Sequence, residues 1–230
     1  MIVSVHLAEV GIRSVAAILR DSPRPGGPGV PGLRAAHTTL TGVIAAGLPR
    51  VTPGRVALVA AWEDDDSLDR FLADHPLAHR LAHGWRVRLQ PLRVSGSWSG
   101  MPITIPSGTA PAEDDEPVAV LTLGELRLRR AAPFLRANSQ ASGRAASSPA
   151  MVASFALARP PRFVGTFSLW SSARLMRQYA YGTSEPEHIS AVRSHQAVPF
   201  HHEAAFVRFR PYGAHGTLDG REPLTAAATA

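Results

Sequence analysis

Two stretches of the chain alternate apolar residues with arginine. Residues 85–92 read Trp-Arg-Val-Arg-Leu-Gln-Pro-Leu, and residues 205–212 read Ala-Phe-Val-Arg-Phe-Arg-Pro-Tyr. A period of two predicts strands with one buried and one wet face. Both meet a proline at the same phase, where the strand is expected to end. Two further runs, 56–62 and 164–170, are β-like and finish in Trp62 and Trp170. Each is followed by a polar helix start, Asp64-Asp65-Asp66-Ser67 in one case and Ser171-Ser172 in the other. Such side chains accept the orphan N–H groups of a first helical turn. The helices that follow carry Leu68, Phe71 and Leu72, and Leu175, Met176, Tyr179 and Ala180. Spacings of three and four put those residues on one buried face.

The earlier part of each half repeats the scheme. Residues 2–8 predict a strand and 15–20 a short helix; 116–122 predict a strand, 131–146 a helix and 151–157 a strand. The order β-α-β-β-α-β in each half is the ferredoxin-like motif. An antiparallel sheet with helices on one face needs a cover on the other, and two such sheets can cover each other. The expected fold is α+β: two tandem ferredoxin-like repeats closing into a dimeric α/β-barrel-like pseudo-dimer. The first repeat takes residues 1–100, with a Pro/Gly-rich excursion at 21–32 read as a mobile surface loop or lid. Residues 101–115 read as a linker, 116–220 as the second repeat, and 221–230 as a fraying tail.

Composition narrows the chemistry. The 230 residues include no cysteine. Disulfides, thiolate-bound zinc, iron–sulfur clusters and thiolate-ligated haem are therefore excluded. All 24 basic residues are arginine, and the net charge is +6. The arginines are scattered rather than gathered into a stripe. The densest group, Arg127, Arg129 and Arg130, reads as the polar face of a strand running into a turn, so a nucleic-acid partner is not expected. No run has the apolar length of a membrane span and the N-terminus has no basic leader, so the expected location is the cytoplasm. An exposed sheet edge would favour a homodimer.

Nucleotide-binding glycine loops, the nucleophile-elbow Gly-x-Ser-x-Gly and the zinc motif His-Glu-x-x-His are all missing from the sequence. The acidic residues at 64–66 and 113–116 sit at a helix start and in the linker, where capping and solubility explain them. Histidine remains, in ten copies. His75, His79 and His83 are four apart on a predicted helix, and a wet face is the simpler reading than a metal site. His188 and His195 are two turns apart, so one could face the core and ligate a haem iron. His201 and His202 precede the last strand, and alternation sends one of them inward.

The second half closely resembles the spheroidene monooxygenases. The resemblance rests on Phe167-Ser168-Leu169-Trp170-Ser171-Ser172, Met176-Arg177-Gln178-Tyr179-Ala180-Tyr181, His188 with Val192-Arg193, and Phe206-Val207-Arg208-Phe209, in that order. The first half is similar through Phe71-Leu72, residues 89–93 and Gly96-Ser97-Trp98-Ser99-Gly100. The resemblance implies a tandem ferredoxin-like protein holding haem b. The family's named members use dioxygen to hydroxylate a carotenoid, and this chain would use dioxygen and an electron donor to hydroxylate a lipophilic or specialised-metabolite substrate. His188 falls on the family's His-x-x-x-Val/Ile-Arg run and is the implied iron ligand, with His195, Trp170 and Tyr181 as cofactor contacts. His201, His202 or an arginine such as Arg177 would poise the distal side in this reading. The sequence departs from the family at residues 200–206, where Phe200-His201-His202-Glu203-Ala204-Ala205-Phe206 replaces a Trp-[Phe/Tyr]-x-Glu-Glu-Leu-Phe pattern, which points to a changed substrate. Three other readings fit the same fold: a haem dehydratase of the aldoxime-dehydratase type, a non-catalytic module for haem or a hydrophobic ligand, and a cofactor-free monooxygenase of the small dimeric-barrel type.

Overall fold

The computed structural model describes residues 1–43, 50–130, 148–181 and 201–229. Among the described residues there are eight antiparallel strands: β1 (Ile2–Glu9), β2 (Leu33–Val43), β3 (Arg50–Trp62), β4 (Trp85–Ser97), β5 (Val118–Leu126), β6 (Met151–Arg159), β7 (Phe163–Trp170) and β8 (His201–His215). They close into one barrel in the order β1-β3-β2-β6-β7-β5-β8-β4. Within this ring the first four strands run β4-β1-β3-β2 and the last four β8-β5-β7-β6, the same arrangement twice. The halves join where β2 pairs with β6 and β4 with β8. Closure leaves neither sheet with an open edge.

The barrel interior is a continuous apolar core drawn from every strand. Val3, Val5, Val59, Val87, Leu89, Leu121, Phe167, Leu169, Val207 and Phe209 are among its almost fully buried members. These positions alternate along each strand, as the sequence pattern requires. In the first half the opposite face is buried too. Helices α1 (Ile12–Arg20), α2 (Asp65–Asp74) and α3 (Pro76–Leu81) build a second core there with Ile18, Leu58, Trp62, Leu68 and Phe71. Burial on both faces explains why β1 is buried over seven consecutive residues.

Several expectations change. The prolines at 91 and 211 do not end their strands. β4 and β8 run through them, with irregular register between Arg88 and Leu89 and between Pro91 and Arg93. A proline has no N–H for the ladder, and a bulge is where a strand tolerates one. His75, His79 and His83 are not on one helix. His75 closes α2 and caps α3, its Nδ1 accepting from Leu77 N at 3.1 Å, while His79 Nε2 reaches the Ala73 carbonyl at 2.7 Å. Pro76 is the physical cause of the break. β5 stops at Leu126, so Arg127, Arg129 and Arg130 lie on a short 3₁₀ turn region rather than a strand face.

The Pro/Gly excursion is pinned rather than loose. Val30 is buried, and the Gly32 carbonyl accepts from Glu63 N at 2.8 Å. Gly32 has φ +73°, and a Cβ there would sit 2.0 Å from Ser67 Oγ, so the loop touches α2 at a point only glycine permits. The linker is also fixed. Trp98 and Met101 enter the barrel core, and Arg210 holds Glu116 at 3.0 Å and the Pro111 carbonyl at 3.1 Å. The C-terminal residues form a helix instead of fraying: α5 (Pro223–Thr229) follows α4 (Ala173–Tyr181) as the last helix, and its Ala227 is buried in the barrel core. The helix expected at 131–146 lies outside the described residues. Among the described residues no helix is long and apolar enough to cross a membrane.

Candidate functional site

The strand register lets the outer faces of the two halves be matched residue by residue. In the first half Ile2 faces Trp62, Ser4 faces Ala60, His6 faces Leu58 and Ala8 faces Val56. In the second, Val118 faces Trp170, Val120 faces Ser168, Thr122 faces Thr166 and Gly124 faces Val164. The two tryptophans thus occupy equivalent ends of equivalent strands. Trp62 Nε1 donates to Ser4 Oγ at 2.9 Å, and Trp170 Nε1 donates to Ser168 Oγ at 2.9 Å. Each indole is buried with its polar atom satisfied.

Beyond the tryptophans the faces diverge. His6 and Leu58 are 2% and 0% exposed beneath α2, and the His6 ring meets Phe71 edge-on. Their counterparts Thr122 and Thr166 are short, polar and only half-buried, and the small side chains beside them, Val120, Ser168, Ser154 and Ala156, are half-buried too. Phe206, opposite Thr122 on β8, is an exposed aromatic. The second sheet therefore presents a low floor of small side chains. Trp170 stands at one end, its ring 5.0 Å from that of Tyr179 on α4.

His201 stands at the other end. It is the register partner of Leu126 at an irregularity in the β5–β8 ladder. A Cβ on Gly124 would lie 2.9 Å from its Cδ2, so the imidazole lies over the glycine on the outer face. His202 is exposed. Glu203 accepts from Ser99 N and Ser99 Oγ, both at 2.7 Å, which lowers its pKa and ties β8 to the loop after β4. Arg177 is ion-paired with Asp114 of the linker, and Arg174 with Asp115 at 3.2 Å. The linker carbonyls of Glu116 and Asp114 in turn accept from Ala173 N and Arg174 N at the start of α4. Arg177 thus fastens the linker to α4. Tyr181 ends α4. His188 and His195 lie outside the described residues.

Two histidines escaped the sequence reading. His6 is fully buried against the first helical layer, with Nε2 3.0 Å from Ser4 Oγ; burial, with Arg86 and Arg88 adding to it, lowers its pKa to about 3. His37 faces the barrel mouth, stacked 5.5 Å from Phe163 and tilted 4.7 Å from Trp98, with Nε2 2.7 Å from the Gly100 carbonyl. Burial lowers its pKa as well. Their signal in the sequence was phase. His6 falls on the even, helix-facing positions of β1, and His37 on the odd, inward positions of β2, in Ala35-x-His37-x-Thr39. Among the described residues no group of three or more metal-ligating side chains is assembled.

No family model matches the chain. It is 29% identical over 180 residues to the spheroidene monooxygenase of Cereibacter sphaeroides, a match covering 76% of this chain and 54% of that protein. The chain thus spans about half the length of that relative. It is 31% identical over 199 residues to the spheroidene monooxygenase of Rubrivivax gelatinosus, covering 84% of this chain and 74% of the relative. Among solved structures, an aldoxime dehydratase shares the fold at a TM-score of 0.52 and 10% identity, covering 91% of this chain and 81% of that one. The likeness to the Rubrivivax protein extends through both halves of the barrel, and this chain belongs to the spheroidene monooxygenase family.

Proposed function

We propose that the chain is a haem b-dependent monooxygenase, using dioxygen and an external electron donor to hydroxylate a lipophilic small molecule. We further infer that its barrel is two tandem ferredoxin-like repeats, roughly residues 1–100 and 116–220, acting as a built-in pseudo-dimer. Kinship with the spheroidene monooxygenases carries the activity. The contrast between the two outer faces supports the location, because a flat ligand needs a floor without bulky side chains and only the second sheet has one.

The residues present fit such a group. Thr122 and Thr166 keep the floor low, and Phe206 adds an exposed apolar surface. Trp170 has its N–H committed to Ser168, so its ring serves as an apolar wall. Tyr181 ends the neighbouring helix. His188, on the family's histidine-containing run, is the iron ligand in this reading, and His195 a further contact on the same segment. Bound haem would supply oxygen activation and one-electron chemistry that no side chain of this chain provides.

The chain's own contribution is positioning and proton control. His201 closes the far end of the floor, where an imidazole can hold or deliver a proton near neutral pH. His202 extends that polar end toward solvent. Arg177 acts by holding the linker acid Asp114 against α4, which keeps Trp170 and Tyr179 in place. The changed stretch around His201 is where substrate preference would differ from that of the relatives.

The test is the visible spectrum of protein produced with ample haem precursor, in ferric, ferrous and CO-bound states. A stoichiometric Soret band that His188→Ala largely removes supports the assignment, and full haem retention in that variant removes His188 from it. Turnover that needs neither dioxygen nor reductant would convert the reading to the dehydratase class. Stoichiometric haem with no turnover would leave a binding module.

A further inference from the structure

The outer face of the first sheet carries a row of nitrogen donors that the proposed haem chemistry does not use. His6 on β1 lies directly opposite Arg86 on β4, and Arg86 directly opposite His215 on β8. Opposed residues of antiparallel strands point to one face with Cβ atoms roughly 4.5–5.5 Å apart. Three donor side chains from three adjacent strands are therefore neighbours by construction. They line a cleft of about 220 Å³, together with Ser4, Leu68 and Arg88. That volume is below the range of drug-sized ligands and suits a small ion or one end of a larger molecule.

Two guanidiniums, Arg86 and Arg88, line the cleft, and among the described residues no carboxylate does. The nearby acids of α2 are engaged elsewhere: Asp65 and Asp69 each bond Arg88 at 2.5 Å, and Asp65 also accepts from the Tyr212 hydroxyl at 2.8 Å. Arg86 is half-buried and has no ion-pair partner among the described residues. The charge of Asp69 acts on Arg86 from α2 without a direct ion pair. A partly desolvated guanidinium without a bonded counter-charge is costly, and a bound anion offsets that cost.

The floor is set up to donate. Ser4 Oγ accepts from the Trp62 indole and lies 3.0 Å from His6 Nε2. In the tautomer with the ring proton on Nδ1, Nε2 accepts from Ser4 and Nδ1 is the donor this histidine has left to offer. Burial keeps the ring neutral, so it presents an N–H without adding a charge. The second half has no such row, since the equivalent positions are Thr122, Phe206 and Ser95.

We propose that this cleft is a phosphate-binding site, taking inorganic phosphate or the phosphate group of a small organic monoester. Arg86 supplies a two-pronged charge-assisted contact, while His6 Nδ1 and the exposed His215 donate from either side. The site is independent of the haem reading and stands or falls without it.

Calorimetric titration of the full-length protein with inorganic phosphate, and separately with phenyl phosphate, tests this at constant ionic strength against chloride. Wild type binds one equivalent, Arg86→Gln weakens binding about tenfold or more, and His215→Gln weakens it less. Because Arg86 has no ion-pair partner to strand, Arg86→Gln is expected to keep the far-ultraviolet spectrum and haem content of wild type. Should it not fold, exposed His215→Gln carries the test. Tighter binding of phenyl phosphate sustains the site as one for a phosphorylated metabolite, and equal binding sustains it as one for the free ion. No phosphate-specific heat in wild type, or unchanged affinity in both variants, overturns the proposal.

Discussion

Beneath α2, Trp62, Leu58 and His6 fill the outer face of the first sheet with large, fully buried side chains. At the matching register of the second sheet stand Trp170, Thr166 and Thr122, and only the tryptophan is buried to the same degree. One strand order and one backbone register therefore support two different faces. The first is spent on stability, through helix packing over β1 and β3. The second forgoes apolar burial at its centre, which is why the proposed haem site is put there. What differs between the halves is the filling of the sheet, not its topology.

The largest expected contrast is at Leu58 and its counterpart Thr166. Leu58→Ala removes a fully buried side chain and should cost about 2–5 kcal/mol. Thr166→Ala, at a half-buried position, should cost under about 1 kcal/mol. Urea denaturation of the two variants reads the difference. Similar losses would mean that both faces are load-sharing cores and would end the comparison.

Next comes acid sensitivity. His6 has a pKa lowered from 6.5 to about 3 in the folded protein. The unfolded chain takes up the proton first, so the stabilisation is present above pH 6.5 and is lost as pH falls toward 3. In that window stability should drop by up to about 1.4 kcal/mol per pH unit from this group. His37, whose pKa burial also lowers, adds a loss of the same sign. Subtracting the profile of His6→Asn, in phosphate-free buffer, isolates the first-face share. A variant profile that parallels wild type below pH 6.5 would show that His6 is protonated or hydrated in the native state.

How much of this contrast could be read from the chain itself varies by element. The alternation of 85–92 and 205–212 and the two runs ending in tryptophan mark strands correctly because their inward positions supply the apolar residues of the barrel core. β2 leaves a weaker trace: Leu33–Val43 mixes Ala, Thr and His, and its inward His37 and Thr39 break the apolar period. The prolines at 91 and 211 suggested strand ends because local sequence does not show that bulges will absorb the missing donors. The histidine ladder at 75, 79 and 83 fails for the opposite reason, since Pro76 splits a helix that the spacing of four treats as continuous. The 21–32 loop reads as loose from its glycines, whereas its order comes from a contact with Ser67 far along the chain. At the proposed site, Trp170 could be found through family resemblance and His201 as a departure from it, and single-residue chemistry gave no hint that Thr122 and Thr166 matter. Their meaning comes from being smaller than His6 and Leu58, which only the register reveals.

A direct probe of the low floor is to raise it. Thr122→Phe puts an aromatic ring where the first sheet carries His6. The half-buried position should tolerate it at a cost of about 1 kcal/mol. Haem occupancy, read from the Soret absorbance per protein, should fall severalfold. A protein that keeps full haem with Phe at position 122 would place the cofactor away from the β5–β7 face.

The smallest expected effect concerns Arg177. Its partner Asp114 is 67% exposed and Arg177 itself 36%, so solvent screens the pair. Arg177→Ala should cost no more than about 1 kcal/mol. As a positioning residue that holds the linker to α4, it should leave haem content nearly unchanged and lower turnover only modestly, and Arg177→Lys should restore most of the loss. Reversing the linker charge with Asp114→Lys should reproduce the alanine phenotype, because both changes break the same contact. A fall in turnover of several orders of magnitude in Arg177→Ala, not mirrored by Asp114→Lys, would instead give the guanidinium a role at the reacting atoms. The second face would then extend past Trp170 to the far side of α4, and the contrast with the first sheet would be one of charge as well as of size.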